Sequence, residues 1–133
     1  MLNILSLTDS NKKILLKRFS YLIDIGYLLS DKLINNTVEK FIFSNKSGDL
    51  VEISFDIREN YVNLFVLKNA SKLISLDYEL VYYSDVIADA KNMLALVDKK
   101  YAYFKSLKRY SLSYFFEEVV SIYAEFLRPY LLS

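Results

Sequence analysis

Apolar residues near the start of the chain recur at intervals of three and four positions. This spacing is typical of an amphipathic helix and predicts one over residues 8–34. Its apolar stripe consists of Leu15, Phe19, Leu22, Leu29 and Leu33. Thr8, Asp9 and Ser10 offer side-chain oxygens that can cap the first turn. Gly26 lies inside the segment, where glycine is less favourable than alanine by about 1 kcal/mol. We therefore expect the helix to bend or break at Gly26.

Between residues 38 and 67 the pattern changes to one apolar residue in every two. Within 51–57, apolar residues hold the odd positions and polar residues hold most of the even ones, which indicates a strand with one buried face. Residues 45–49 are a hairpin loop, with Gly48 available for a positive φ. The run that begins at Tyr61 is apolar on both faces, which predicts a strand covered on both sides or lying in an interface. The region is therefore predicted to be a three-stranded antiparallel meander.

The pattern after residue 67 is mixed and then becomes helical. LDYELVYY, residues 76–83, fits either a fourth strand or the first turns of a helix, and its composition favours a strand. From Ser84 onward a regular helical stripe returns, formed by Ile87, Ala90, Leu94, Val97, Tyr101 and Phe104. A last helix is predicted to begin at Ser111 or Ser113 and to end at Pro129. Its apolar side contains Phe116, Val119, Tyr123 and Phe126.

These elements predict a single α+β domain over residues 1–133. It consists of an N-terminal helix, a three- or four-stranded antiparallel meander and two C-terminal helices, and no linker or repeat divides it. No apolar run approaches the roughly 18 residues that a membrane-spanning helix needs. At the N-terminus the cations follow the apolar residues, which is the reverse of a secretory signal. The predicted location is the cytoplasm, with no membrane partner.

The composition removes much of the chemistry that enzymes use. The chain has no histidine, cysteine or tryptophan and only two glycines. Imidazole-dependent triads, Cys–His pairs, the usual zinc sites, P-loops and dinucleotide-binding glycine motifs are therefore excluded. We predict a protein that is not an enzyme, with no catalytic, cofactor-binding or metal-binding residues and no cofactor.

Carboxylate pairs are the acid–base groups that remain. Asp85 and Asp89 share one face of the predicted helix, and Glu117 and Glu118 are adjacent on the next. Neighbouring helical residues point about 100° apart, so Glu117 and Glu118 do not form a site by themselves. We interpret these side chains as solvated helix charges, and whether any of them converge stays open.

The segment YAYFKSLKRYSLSYFF, residues 101–116, combines aromatic rings with cations. In one interpretation, the patch at residues 99–114 stacks bases and contacts phosphates as a nucleic-acid-binding module. In the other, the cations complement a helix C-terminus and the serines cap the next helix. The net charge of +1 favours the second interpretation, because nucleic-acid-binding domains are usually strongly basic.

The second interpretation leaves three tyrosines without a structural role. With the two cations beside them, the candidate partner-binding residues are Tyr103, Lys108, Arg109, Tyr110 and Tyr114. With Leu107, the three tyrosines would form one stripe on a continuous helix, suited to a protein contact. A turn at 106–111 would instead divide the stripe.

Twelve tyrosines and nine phenylalanines are a heavy aromatic content for 133 residues. One interpretation is a densely filled core. The other is that part of the apolar surface is covered by a partner protein or by self-association as a homo-oligomer.

The order of elements resembles small bacterial immunity-type proteins of toxin–immunity systems. The similarity lies in the meander FIFSNKSGDLVEISFDIRENYVNLFV followed by helices that end in SLSYFFEEVVSIYAEFL, across about residues 38–127. The resemblance implies a non-enzymatic protein that binds one cognate toxin and neutralises it. It assigns no individual residue a role, because such proteins share a layout while their contact residues differ.

Overall fold

The structure, a computed structural model, describes residues 8–77 and 80–133. In these ranges the helices are α1 (Thr8–Arg18), α2 (Ser20–Asp24), α3 (Ala90–Ser106) and α4 (Leu112–Leu132). The strands are β1 (Leu28–Asn35), β2 (Val38–Ser44), β3 (Leu50–Asp56), β4 (Tyr61–Lys68), β5 (Ser71–Leu76) and β6 (Val81–Tyr83). All neighbouring strands are antiparallel and the sheet follows chain order from β1 to β6. The predicted α+β class is confirmed, and the sheet is larger than the three or four strands expected.

The three strands with the clearest alternation form the centre of the sheet. In β3, Val51, Ile53 and Phe55 are fully buried, while the residues between them are half-buried. The same alternation holds in β2 and β4, and the registers place buried residues opposite buried residues. Because one face of each strand is apolar, a shift by one residue would expose the whole buried set. The predicted meander over 38–67 is confirmed.

The helices cover the apolar face of the sheet, with α4 at the centre of their layer. This helix contacts α1, α2, α3 and β4. The Tyr21 hydroxyl in α2 donates a hydrogen bond to the Ala124 carbonyl of α4 at 2.6 Å. The Arg18 guanidinium, at the end of α1, donates to Glu117 Oε2 of α4 at 2.8 Å. One hydrophobic cluster runs through the sheet and all four helices.

The segment 8–34 breaks near Gly26, as expected, but the residues beyond Gly26 form a strand and do not continue the predicted helix. Helices α1 and α2 end at Arg18 and Asp24, Gly26 takes a φ of +100°, and the chain then enters β1. A helix cannot continue through a positive φ, and glycine adopts that conformation without steric penalty. Leu29, which fitted the helical stripe, lies opposite Phe43 in the sheet and packs against the core. Pairing with β2 satisfies the backbone groups on the inner side of this segment, so the tertiary context overrides the helical spacing.

Substitution at Gly26 tests this account of the turn. The Gly26→Ala variant is expected to lower the free energy of unfolding by about 1–2 kcal/mol, because a Cβ disfavours positive φ. Space is not the cause, since a Cβ built there meets no atom within 4 Å. Gly26→Asn is expected to lose less, since asparagine tolerates positive φ better than alanine. Urea unfolding measures both values, and equal stability of wild type and Gly26→Ala would contradict the role assigned to this glycine.

The ambiguous segment 76–83 contains strand at both of its described ends. Strand β5 ends at Leu76 and β6 begins at Val81, and the Leu80 amide donates to Asp77 Oδ1 at 2.6 Å. Tyr78 and Glu79 lie outside the described residues. The helix expected from Ser84 begins later, at Ala90. The Ser84 amide instead donates to the Leu73 carbonyl at 2.8 Å, which extends the β5–β6 pairing by one bond.

The last helix begins as predicted but ends later than expected. Ser111 is its N-cap, whereas Pro129 lies inside α4, which continues to Leu132. The Lys68 ammonium donates to the carbonyls of Tyr130 and Ser133 at 2.8 and 2.7 Å. A cation that satisfies terminal carbonyls stabilises a last turn, which offsets the hydrogen bond lost at Pro129. No helix in the described ranges is long and apolar enough to cross a membrane.

Candidate functional site

The chain turns between α3 and α4, which resolves the organisation of the aromatic and basic segment. Helix α3 ends at Ser106, and Leu107 is extended, with φ −85° and ψ 142°. The Ser111 hydroxyl then accepts a hydrogen bond from the Tyr114 amide at 3.2 Å and caps α4. Tyr103, Tyr110 and Tyr114 therefore lie on α3, on the connecting segment and on α4. The continuous stripe that would have included Leu107 does not exist.

The turn nevertheless brings the three candidate tyrosines together, around the buried ring of Phe104. Ring centroids of Tyr103, Tyr110 and Tyr114 lie 5.3, 5.1 and 5.6 Å from that of Phe104, each in an edge-to-face arrangement. Such pairs stabilise a structure beyond their buried area by about 0.5–1.5 kcal/mol each. We call this group the aromatic corner; it consists of Tyr103, Phe104, Tyr110, Tyr114 and Phe115.

The aromatic corner is buried at its base and exposed at its rim. Phe104 and Phe115 are each 1% exposed, while Tyr103 and Tyr114 are 53% and 52% exposed. Tyr110 is half-buried and packs on Phe115 as well as on Phe104. Two large rings thus remain accessible on a rigid base, which is the arrangement of anchor residues in protein interfaces.

A cavity of about 350 Å³ opens beside the aromatic corner. The β3–β4 turn forms one wall, and α3 and the start of α4 form the others. Its lining consists of Glu59, Asn60, Tyr61, Tyr101, Phe104, Lys105, Tyr110 and Phe115. Five aromatic rings with one cation and one carboxylate suit an apolar group that carries a polar end. Of the residues predicted from the sequence for a partner, only Tyr110 lines the cavity.

The wall formed by Tyr101 is held rigidly. Its ring stacks on Tyr61 with centroids 5.1 Å apart and planes 17° apart. Its hydroxyl accepts a hydrogen bond from the Val62 amide at 3.1 Å, and the Val62 carbonyl accepts one from the Tyr123 hydroxyl at 2.9 Å. Burial raises the pKa of the Tyr101 and Tyr123 phenols well above their usual value. Both phenols stay neutral, so this wall presents an uncharged surface.

Sequence reasoning missed Tyr61 as a member of the site. The one signal was the apolar character of both faces of its strand, which predicted a covered surface without saying what covered it. In the structure, the ring of Tyr101 in α3 stacks on Tyr61 and covers it. The pairing joins residues forty positions apart, which no local pattern shows.

Basic side chains border the aromatic corner without carboxylate partners. Lys105, Lys108 and Arg109 are exposed, and in the described part of the chain none of them forms an ion pair. Lys100 differs, because its ammonium contacts Glu118 Oε1 at 2.9 Å and that hydrogen bond raises the pKa of the lysine. The local positive potential therefore comes from three free cations beside two exposed tyrosines.

The four carboxylates named from the sequence lie in two different settings. Asp85 and Asp89 both precede α3, which begins at Ala90, so the helix face that they were expected to share does not exist. Glu117 pairs with Arg18 and connects α4 to α1, and Glu118 pairs with Lys100 and connects α4 to α3. Within residues 8–77 and 80–133, no group of three or more acidic side chains is arranged to hold a metal ion.

No protein-family model, curated protein or solved structure matches this chain. The features that bear on its function are the aromatic corner, the adjoining cavity and the charges around them.

Proposed function

We propose that this chain is a non-enzymatic, cytoplasmic protein that binds another protein through the aromatic corner, and that its partner is a toxin that it neutralises. The observation that carries the protein-binding proposal is the pair of exposed rings, Tyr103 and Tyr114, fixed by edge contacts to buried Phe104. Tyrosine is enriched at interface hot spots, because it buries a large area with little loss of conformational freedom. The toxin as partner rests on the resemblance of the layout to immunity-type proteins.

The cavity supports a specific mode of contact. It lies beside Tyr110 and is lined mainly by aromatic rings, so an apolar side chain of the partner fits it as an anchor. Tyr103 and Tyr114 then exclude water from the rim. Lys105, at the edge of the cavity, complements a carboxylate next to that anchor. The preferred partner surface is therefore a projecting apolar residue within an acidic segment.

The charges favour a protein over nucleic acid. The three free cations lie at one corner, whereas the chain as a whole has a net charge of +1. Nucleic-acid binding draws much of its affinity from many phosphate contacts along a basic surface. The accessible aromatic surface consists of the two exposed rings of Tyr103 and Tyr114 beside an open cavity, which suits an inserted side chain. A nucleic-acid-binding module is the alternative that the experiment below separates.

The Tyr103→Ala/Tyr114→Ala variant tests the proposal against the toxin-like product of a neighbouring gene. Calorimetric titration is expected to show at least about 30-fold weaker binding, because interface hot spots contribute 2 kcal/mol or more. Co-expression is expected to show that the variant no longer protects cells from growth arrest by that protein. Lys108→Glu/Arg109→Glu is expected to slow association and to weaken its dependence on salt.

The matched control is Leu96→Ala/Leu132→Ala, which removes exposed apolar side chains away from the aromatic corner. It is expected to bind and protect as the wild type does. Equal binding by the tyrosine variant and the wild type would refute the site. Salt-sensitive binding to a labelled oligonucleotide, lost in Lys108→Glu/Arg109→Glu and without any toxin complex, would establish the nucleic-acid alternative instead.

A further inference from the structure

Strand β1 forms one edge of the sheet, and no other strand of the described residues covers its outer side. Seven of its eight residues are exposed. Leu28 is 75% exposed and Leu33 is 42% exposed. A long edge strand whose outward backbone groups have no strand partner pairs readily with another strand. The other edge, β6, has only three residues and offers a much shorter ladder.

The two faces of β1 follow from its register with β2. Leu29, Asp31 and Leu33 lie opposite Phe43, Phe41 and Glu39, so they share the face that the helices cover. Ser30 and Lys32 lie opposite Ile42 and Lys40 on the open face. In a two-fold pairing of β1 with another β1, directly opposite residues must occupy the same face. This requirement excludes every register that pairs an odd-numbered residue with an even-numbered one.

Three registers around the middle of β1 remain, and their side-chain pairs differ. Centring the two-fold axis on Lys32 places two ammonium groups opposite each other and Asp31 opposite a leucine. Centring it on Ser30 places Asp31 opposite Leu29. Centring it on Asp31 places Leu29 opposite Leu33 and Ser30 opposite Lys32, and so matches apolar with apolar and polar with polar. Cross-strand pairs of matched character stabilise a sheet by about 0.2–1 kcal/mol each.

We propose that β1 pairs antiparallel with β1 of a second copy of this chain, with Asp31 opposite Asp31 of that copy, so that two sheets become one. The partner strand is inferred to be another β1 because, in this register, Leu29 lies opposite Leu33 and Ser30 lies opposite Lys32. The proposal is independent of the proposed function, because β1 and the aromatic corner share no residue and lie on different elements. A dimer formed in this way leaves both aromatic corners available.

The central aspartates are compatible with this pairing. The Lys12 ammonium of α1 lies 2.9 Å from Asp31 Oδ1 of the same chain. Each aspartate therefore brings a lysine of its own chain with it, and Glu39 of that chain also contacts Asp31. Opposed like charges would destabilise the pair if they were alone. The existing ion pair also lowers the pKa of Asp31 and raises that of Lys12.

Cysteine cross-linking tests the register directly, because the natural chain has no cysteine. Opposite Cα atoms in an antiparallel pair are about 4.5–5.5 Å apart, within the range that a disulfide spans. A mixture of Ser30→Cys and Lys32→Cys chains is expected to form a disulfide-linked heterodimer on oxidation. Either variant alone is expected to stay largely uncross-linked, since its own thiols are offset by two residues, about 6.8 Å along the strand.

Sedimentation velocity from about 1 μM to about 1 mM tests whether the dimer forms without a cross-link. The wild type is expected to pass from monomer to dimer within this range. Leu33→Lys is expected to weaken dimerisation at least about tenfold, because it places a charge opposite Leu29 of the second copy. The control is Leu132→Lys, a substitution of an equally accessible leucine (43% exposed) away from the edge, and it is expected to dimerise as the wild type does.

Three results would overturn the proposal. The first is a wild type that stays monomeric throughout this range. The second is efficient cross-linking of Ser30→Cys or Lys32→Cys chains alone, which would indicate a different register. The third is equal dimerisation by Leu33→Lys and the wild type, which would place the interface elsewhere. Failure of toxin binding would leave all three measurements unchanged, so the two proposals are tested separately.

Discussion

Replacement of Phe104 by alanine is expected to lower the free energy of unfolding by about 3–5 kcal/mol, the range for a buried phenylalanine. Phe104 is 1% exposed and its ring contacts those of Tyr103, Tyr110, Tyr114 and Phe115. The substitution removes the ring that holds α3, the turn and α4 in one arrangement. Urea unfolding followed by circular dichroism measures the change.

Two controls separate packing from the mere loss of an aromatic ring. Phe104→Leu restores most of the apolar volume and is expected to recover a large part of the lost stability. Tyr103→Ala removes a neighbouring ring that is half exposed, and it is expected to lower the free energy of unfolding by about 1 kcal/mol or less. A Phe104→Ala protein as stable as Tyr103→Ala would show that the aromatic corner is not packed as described.

The consequence for function follows from the same contacts. The exposed rings of Tyr103 and Tyr114 keep their positions because Phe104 lies beneath them. Phe104→Ala is therefore expected to weaken binding of the proposed partner even under conditions where the variant is fully folded. Phe104→Leu is expected to restore folding more completely than binding, because leucine offers no ring for edge contacts.

Stability is expected to fall steeply as the pH rises above 10. Burial raises the pKa of Tyr101 and Tyr123 above the value of 10.0 that tyrosine has in an unfolded chain. Above pH 10 the unfolded state loses two protons that the folded state retains. The stability due to these neutral phenols is complete below pH 10 and is lost as the pH rises through the folded-state pKa. Each phenol contributes a slope of about −1.4 kcal/mol per pH unit.

Urea unfolding at pH 9, 10 and 11 checks this expectation, and Tyr123→Phe is the matched variant. Phenylalanine cannot ionise, so the slope above pH 10 is expected to become shallower by about 1.4 kcal/mol per pH unit. The variant also loses the hydrogen bond to the Val62 carbonyl, which is expected to lower its stability at pH 7 by about 1 kcal/mol. A wild type equally stable at pH 10 and pH 11 would contradict the burial of these phenols.

Local patterns predicted the centre of the fold better than its edges. Strands β2, β3 and β4 each have one apolar face, and alternation with period two is visible without knowledge of the neighbours. Strand β1 lacks that signal: its residues LLSDKLIN are mostly exposed and happen to match helical spacing. Its state depends on pairing with β2, which the amino-acid sequence of β1 does not encode locally.

The sequence predicted some residues of the candidate site and missed others. Tyr103, Tyr110 and Tyr114 stood out because the neighbouring cations and serines had roles at the helix ends, whereas these three tyrosines had none. Tyr61 and the β3–β4 turn did not stand out, because they reach the site only through the packing of α3 on the sheet. Of the four carboxylates named from the sequence, Glu117 and Glu118 form ion pairs between helices where solvated charges had been expected.

The sequence by itself determined the α+β class, the three central strands, a start of the last helix at Ser111 or Ser113 and a composition without histidine or cysteine. Each of these depends on residue identity or on spacing within about ten positions. The tertiary structure alone decided that residues 28–35 form an edge strand and that three separated tyrosines meet around Phe104. The physical reason is that both depend on contacts between distant segments, where burial and backbone pairing outweigh local preference.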